Sequence, residues 1–484
     1  MVSFCISVVV LLLGYFVYSK FVEKIFGVDS HRATPAVTMT DGVDYVPMKP
    51  WRIFLIQFLN IAGVGPICGA VMGAQFGVAS FIWIAFGCVL AGATHDYLSG
   101  MLSLRNKGCN LPEIHGTYLG KTIKNIVQIV MIVLLILTGV VFVRTPSTII
   151  FENFTPNMSI YLWVSIIFIY YLIATLLPID KLIGRIYPIF GFLLLAMAIF
   201  ILGAIIFMHP HIPEFWEGLQ SKHPQAESTP LFPMMFVSIA CGAISGFHAT
   251  QSPLMARCMT NEKQGRAIFY GTMIVEGIVA LIWAAAATYF FSPNSGIDTA
   301  GKGDVAMISL IANHWFTPII AVITLLGVVS AAVTTGDTAL RSCRLIVADL
   351  FHLPQKSMKS RLLVAIPIFA LTLLILMFNM ADNEGFAMIW RYFGWCNQLL
   401  ATVTLWALTV YMRYSLKTKY YFIMLVPALF MTMVTGCFIF VSQNGGLGTF
   451  LPRPVGYGIG ALITIGCLIA FYVRERKNRD IPSL

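Results

Sequence analysis

Only 11% of the 484 residues are charged and 58% are hydrophobic. The few ionisable and hydroxyl side chains inside apolar runs are therefore the ones whose chemistry would matter. Glu276 lies nine residues into the run 267–291, and at about 1.5 Å per residue of helix it falls near the middle of a bilayer. A charge there costs roughly 2.5–3.5 kcal/mol on insertion scales, which marks Glu276 as a proton-carrying candidate. His248 and Gln251 lie at the end of the run 231–252. Either can hydrogen-bond a substrate, and His248 can also take a proton near neutral pH or act as a core histidine satisfying loose carbonyls. His95 and Asp96 close the run 80–98. Asp96 can relay protons or pair with Arg105 or Lys107; we assign relay to Glu276 and a structural gate to His95 and Asp96. Ser330, Thr334 and Thr335 stand on roughly one face of a helix over 316–336. They are oxygen ligands for sodium, or hydroxyls bonded back to their own carbonyls as is usual in membrane helices. Asp337 and Arg341 are four apart and suited to an ion pair that gates or braces the helix.

Two stretches would hold these groups in place. In "GVGPICGAVMGAQFG" (63–77), Gly65, Gly69, Gly73 and Gly77 form a small-residue stripe that suits close helix packing. Pro66 disfavours helix just before it and suits the first turn of a new one. We expect a half-helix to about Asn60, an unwound turn, and a second half-helix from Pro66. In "ACGAISGFHATQSPLMARCM" (240–259), Gly246 is expected to end one half, Thr250 or Ser252 to cap the next, and Pro253 to open it. Both stretches contain Cys-Gly-Ala.

The elements around them are membrane helices. Apolar runs give thirteen spans near 3–22, 53–76, 80–98, 125–143, 159–177, 186–208, 231–252, 267–291, 316–336, 362–380, 392–412, 420–441 and 455–473. With these, Arg144, Lys222, Lys302, Arg391 and Arg453 fall on one side, leaving 26 of the 31 Lys and Arg on the other. The positive-inside rule then puts the N-terminus outside and the C-terminus in the cytoplasm. The net charge of +10 is topology rather than affinity for nucleic acid, with any pull on anionic lipid secondary. Ten scattered cysteines without a CxxC pair argue against a disulfide framework or zinc site. The histidines His209, His211 and His223 read as a solvated loop. The second and seventh spans are five apart and cross in opposite senses. Broken spans at matching places of two inverted halves point to a midplane substrate site in secondary transporters.

The segments "NIAGVGPICGA", "GATHDYLSGMLSLRNKG", "ACGAISGFHATQSPLMARCM", "TTGDTALRSCRLIVADLF" and "YFGWCNQLLATVTLWAL" resemble the carbon-starvation protein A (CstA) family over nearly the whole chain. The resemblance is to a short form without the longer C-terminal part of larger members. It implies uptake of peptides or pyruvate across the bacterial inner membrane and a LeuT-type five-plus-five inverted repeat. One transmembrane domain is then expected, with an extra N-terminal helix and loop (1–50), a repeat core (51–412), and two accessory helices with a basic tail (413–484). Peptides and pyruvate carry a carboxylate, which a half-helix N-terminus can hold without a protein cation. We assign Gly63, Gly65, Pro66 and Gly69 to that role, with Gly246, His248 and Gln251 opposite. In the repeat register, sodium would lie between Ser330, Thr334 and Thr335 and carbonyls of about Asn60–Gly63. Arg391, among Trp390, Tyr392, Phe393 and Trp395, reads first as an aromatic-belt anchor and second as an attractor of anions to an outer vestibule. Asn397 and Gln398 are helix–helix glue or pathway.

The expected function is a secondary active transporter coupled to H⁺ or Na⁺, with no other cofactor. No Walker motif supplies ATP chemistry. No Ser–His–Asp, HExxH or paired-carboxylate spacing points to an enzyme, and no repeated filter ring points to a channel. A passive channel and a membrane nutrient sensor are the alternatives.

Overall fold

A computed structural model describes residues 1–42, 44–177, 179–355, 357–381, 383–443 and 446–477, with the backbone alone for 179–186, 381, 383–387 and 474–477. The described residues are helical, with no β-strand among them. The first helices are α1 (Val2–Phe26), α2 (Pro50–Ile61), α3 (Val64–Gly73), α4 (Ala79–Arg105), α5 (Leu111–Leu119) and α6 (Lys121–Phe154). The middle of the chain holds α7 (Ile160–Leu176), α8 (Ile179–Met208), α9 (Leu231–Ser238), α10 (Gly246–Ala256) and α11 (Glu262–Phe291). The remainder forms α12 (Asp304–Trp315), α13 (Pro318–Leu350), α14 (Met358–Ala381), α15 (Asn383–Val410), α16 (Phe422–Val441) and α17 (Arg453–Lys477).

Among the described residues, nine helices are long and apolar enough to cross a membrane, or ten if α2 and α3, bent by 46°, count as one span. Apolar α7 is shorter, at 17 residues. The long helices α6 and α13 lie against each other, and α8 flanks α13. The Tyr171 hydroxyl of α7 binds both long helices, lying 2.8 Å from the Phe142 carbonyl and 3.1 Å from that of Ala332. Helix α1 lies along α4 and α11, where Gly14 meets Val89 and Gly277 meets Leu11 and Cys88. Helices α16 and α17 pack on α15 and α9, and the Tyr457 hydroxyl donates to the Phe232 carbonyl at 2.8 Å.

The chain breaks where the glycines and prolines stand, but not always as expected. Only Ala62 and Gly63 separate α2 from α3, so the first unwound turn is shorter than the span from Asn60 to Pro66. Pro66 occupies the third position of α3, where a missing N–H costs no helical bond. Gly77 leaves the stripe altogether: it turns the chain at φ +80°, a conformation that favours glycine. The second break is corrected more substantially. It spans Ile239–Ser245, so Gly246 opens α10 instead of ending α9, and Pro253 lies inside α10. Thr250 and Ser252 are not caps; their hydroxyls bond back to the carbonyls of Phe247 and His248. The physical reason is that another helix caps α10: Asn397 Oδ1 of α15 accepts from the Phe247 N–H at 2.7 Å and the Ser245 hydroxyl at 3.0 Å. Helix α15 therefore fixes where α10 begins.

The helices that carry Asp96 and Glu276 each contain a π-helical stretch before the acid: Trp83–Gly92 ahead of Asp96, and Arg266–Gly271 ahead of Glu276. Such widened turns re-aim the residues that follow and recur at functional sites.

Candidate functional site

The two breaks touch. A Cβ on Gly65 would lie 2.5 Å from Cys241 Sγ, one on Gly69 2.7 Å from the Ser238 carbonyl oxygen, and one on Gly73 2.2 Å from Ile239 Cγ1. The glycine stripe thus lets α3 press against the end of α9 and the second break, so close packing and helix rupture serve one arrangement. Side chains of other helices reach carbonyls at this break. Trp83 Nε1 donates to the Ile239 carbonyl at 3.3 Å, and Gln398 Nε2 donates to the Phe236 carbonyl at 3.3 Å. Asn397 and Gln398 are glue at the break.

A cavity of about 120 Å³ ends on this junction. Gly65, Ser238 and Cys241 form part of its wall, with Trp390, Arg391 and Phe393 from α15. Of the residues assigned to substrate, Gly65 alone lines it. Gly63 is pressed against α13, where a Cβ would lie 2.5 Å from Thr335 Oγ1. Gly246 lies on the α15 backbone, and Gln251 donates to the Thr250 hydroxyl at 2.7 Å while accepting from that of Ser342 at 3.4 Å. Arg391, read first as an interfacial anchor, stands in the cavity wall.

Behind the second break lies a buried acid–imidazole cluster. Asp96 Oδ1 is 2.8 Å from His95 Nδ1, and Asp96 Oδ2 is 2.8 Å from His248 Nδ1. The other face of the same imidazole, His248 Nε2, is 3.4 Å from Glu276 Oε1. None of these side chains reaches the surface. Glu276 has no basic neighbour in sequence, yet folding brings a histidine to it. Asp96 does not pair with Arg105 or Lys107. Arg105 is held by Glu262 through Nε and Nη2, both at 3.0 Å, a contact that joins the end of α4 to the start of α11.

The hydroxyls of α13 divide. Thr334 and Thr335 lie 3.2 and 3.1 Å from the Leu59 carbonyl, at the frayed end of α2. Thr334 also reaches carbonyls of its own helix, and Ser330 bonds to Gly327 and Phe190 instead. Asn60 is fully buried, and neither polar atom of its side chain has a hydrogen-bond partner. The same is true of Gln57 one turn earlier, a residue the sequence reading missed. Its only signal was a second carboxamide in an apolar run. The expected Asp337–Arg341 pair is absent from the ion pairs of the described residues. Tyr170 donates to Asp337 at 3.3 Å and Arg341 donates to the Ala174 carbonyl, since each side chain finds a partner on α7.

Nine or ten helices of membrane length among the described residues, with two interrupted helices meeting beside a cavity, define a polytopic helical membrane protein. The solved structures that the chain resembles are LeuT-fold transporters. One is MhsT in complex with L-phenylalanine, with a TM-score of 0.57 and 12% identity, covering 88% of this chain and 99% of that one. Another is a Na⁺-coupled sialic acid symporter, with a TM-score of 0.53 and 13% identity, covering 96% and 95%. The chain belongs to the carbon starvation protein CstA family, whose model matches residues 1–162, 146–316 and 295–437. A membrane protein of Haemophilus influenzae is 40% identical over 64% of this chain and 96% of its own. The peptide transporter CstA of Campylobacter jejuni is 24% identical over 98% of this chain and 83% of its own. The pyruvate/proton symporter BtsT of Escherichia coli is 28% identical over 58% of this chain and 48% of its own.

Proposed function

We propose that this chain is a secondary active transporter of the bacterial inner membrane that takes up a small carboxylate-bearing nutrient, a peptide or pyruvate, using a gradient of H⁺ or Na⁺. The observation that carries this is the cavity reaching Gly65. It meets α3 in its first turn, where backbone N–H groups lack helical partners and the helix dipole favours an anion. The cavity wall carries Arg391 on the side poor in Lys and Arg, which the positive-inside rule assigns to the exterior. This conformation is then the one that receives nutrient from outside, with α2 to α15 as the inverted-repeat core and α1, α16 and α17 as accessory helices. The relatives named for peptide and for pyruvate transport support the same substrate class.

Arg391 then serves to raise the local concentration of anion at the mouth. Arg391→Gln is expected to raise the apparent KM for pyruvate about tenfold, equivalent to ~1.4 kcal/mol, with a smaller change in maximal rate. Initial uptake rates in proteoliposomes check this, and an unchanged KM refutes the role.

A second reading of the driving ion rests on Thr334 and Thr335, whose hydroxyls converge on the Leu59 carbonyl as sodium ligands at that position would. Uptake of labelled pyruvate and labelled dialanine, under a proton gradient and separately a sodium gradient, tests the whole proposal. Accumulation of neither probe under either gradient sinks it. Under the sodium reading, Thr335→Val abolishes sodium-driven accumulation.

A further inference from the structure

We propose that the driving ion is a proton, carried between His248 Nε2 and Glu276 Oε1, with Asp96 as the fixed anchor of the pair. This rests on the transporter reading above and names its coupling chemistry. The two carboxylates are held unequally. Each oxygen of Asp96 is held at 2.8 Å, one by His95 and one by His248. Neither oxygen of Glu276 has a hydrogen bond, and His248 Nε2 has none either; the two face each other at 3.4 Å. Asp96 thereby fixes the Nδ1–H of His248, and exchange is left to Nε2. The step is a single proton transfer: the Nε2–H bond of the imidazolium breaks, an O–H bond forms on Glu276, and a neutral imidazole and carboxylic acid replace an ion pair.

Charge balance supplies the reason for exchange. With Asp96 and Glu276 ionised, His248 protonated and His95 neutral, the cluster carries one uncompensated negative charge. Among the described residues no Lys or Arg comes within ion-pair distance of it. A buried charge left this way is costly; the transfer itself leaves it in place, and a second proton, taken up by His248 Nε2 after the first has passed to Glu276, removes it. The other titratable groups facing the cluster are His95 on α4, Cys88 in the π stretch of α4, and Cys241 in the second break. Among the described residues, helices α13 and α15 place no ionised partner on it. Cys241 also lines the cavity, so the route from the cavity to His248 passes one side chain.

The location links this proton to movement. Asp96 lies on α4, Glu276 on α11 and His248 on α10, two residues past the Gly246 that opens the second half-helix. Protonating Glu276 replaces an ionic tie between α10 and α11 by a neutral contact, freeing α10 to shift when cargo is bound. The proton thus acts on the half-helix that follows the break whose Ala240 and Cys241 line the cavity.

The decisive measurement is made on purified protein without substrate. Infrared difference spectra between alkaline and mildly acid buffer should show a carboxylic-acid C=O stretch that shifts in D₂O. It should be missing in Glu276→Gln and kept in Glu227→Gln, which alters an exposed loop residue. An unchanged band in Glu276→Gln overturns the proposal. Should Glu276→Gln not fold, Glu276→Asp decides: the carboxylic-acid band should move to a new frequency, and a band at the unchanged frequency overturns the proposal. In proteoliposomes, proton-driven accumulation of labelled pyruvate or dialanine should fall at least tenfold in Glu276→Gln; undiminished accumulation refutes the assignment. If wild type moves neither probe, the transporter reading fails, while the infrared result still decides the proton site.

Discussion

Gly65→Leu abolishes uptake while leaving the protein in the membrane at near wild-type amount. Even a single methyl at this position would lie 2.5 Å from Cys241 Sγ and 3.1 Å from its Cβ. A leucine must therefore either push the two breaks apart or turn into the cavity, whose wall Gly65 forms. Overpacking of this kind costs about 1–3 kcal/mol, and occupation of the cargo space adds to it. The expected loss in initial uptake rate is roughly a hundredfold, with Gly65→Ala intermediate. Surface biotinylation or quantitative blotting separates this from poor expression. Wild-type rates in Gly65→Leu would remove the α3 start from the cargo path.

The second large effect is on stability. At Gly246 a Cβ would lie 2.4 Å from the backbone nitrogen of Ala401 and 2.5 Å from the carbonyl oxygen of Asn397. Both are main-chain atoms of α15, so no rotamer change relieves the clash, and α10 must pull away from the helix that caps it. Moving it disturbs the Asn397 bonds to Phe247 and Ser245, whose buried groups are expensive to leave unpaired. Gly246→Ala should cost about 3 kcal/mol or more, seen as a lower Tm in detergent and faster loss of monodisperse protein. The matched control is Gly458→Ala on α17, where a Cβ meets nothing within 4 Å. There the better helix propensity of alanine should stabilise by up to about 1 kcal/mol. Equal stability of the two variants would show that α10 and α15 are not locked together as described.

The sequence made the membrane class and the first break legible because both are local. Apolar run length and a glycine–proline cluster need no knowledge of neighbours. The second break was misplaced for the opposite reason. Its start depends on Asn397, 150 residues along the chain from Phe247, and that distant side chain outweighed the local preference of Pro253 for the first turn of a helix. The acid–imidazole cluster shows the same division. Glu276, His248 and Asp96 each stood out as polar groups in apolar runs, but their meeting depends on how α4, α10 and α11 pack. Asp337 and Arg341 misled because helical spacing suggested a mutual pair, whereas Tyr170 and the Ala174 carbonyl compete for them from α7.

Helices α6 and α13 run for 34 and 33 residues. At 1.5 Å per residue each is roughly 50 Å long, against a hydrocarbon layer of about 30 Å. Rods that long must lean steeply or project beyond the lipid, and Tyr171 braces the two against each other. Bilayer thickness then bears on the angle of this cross-brace, and through it on the spacing of the shorter pieces it carries. Reconstitution into lipids of graded acyl length should show a peak in turnover instead of a plateau.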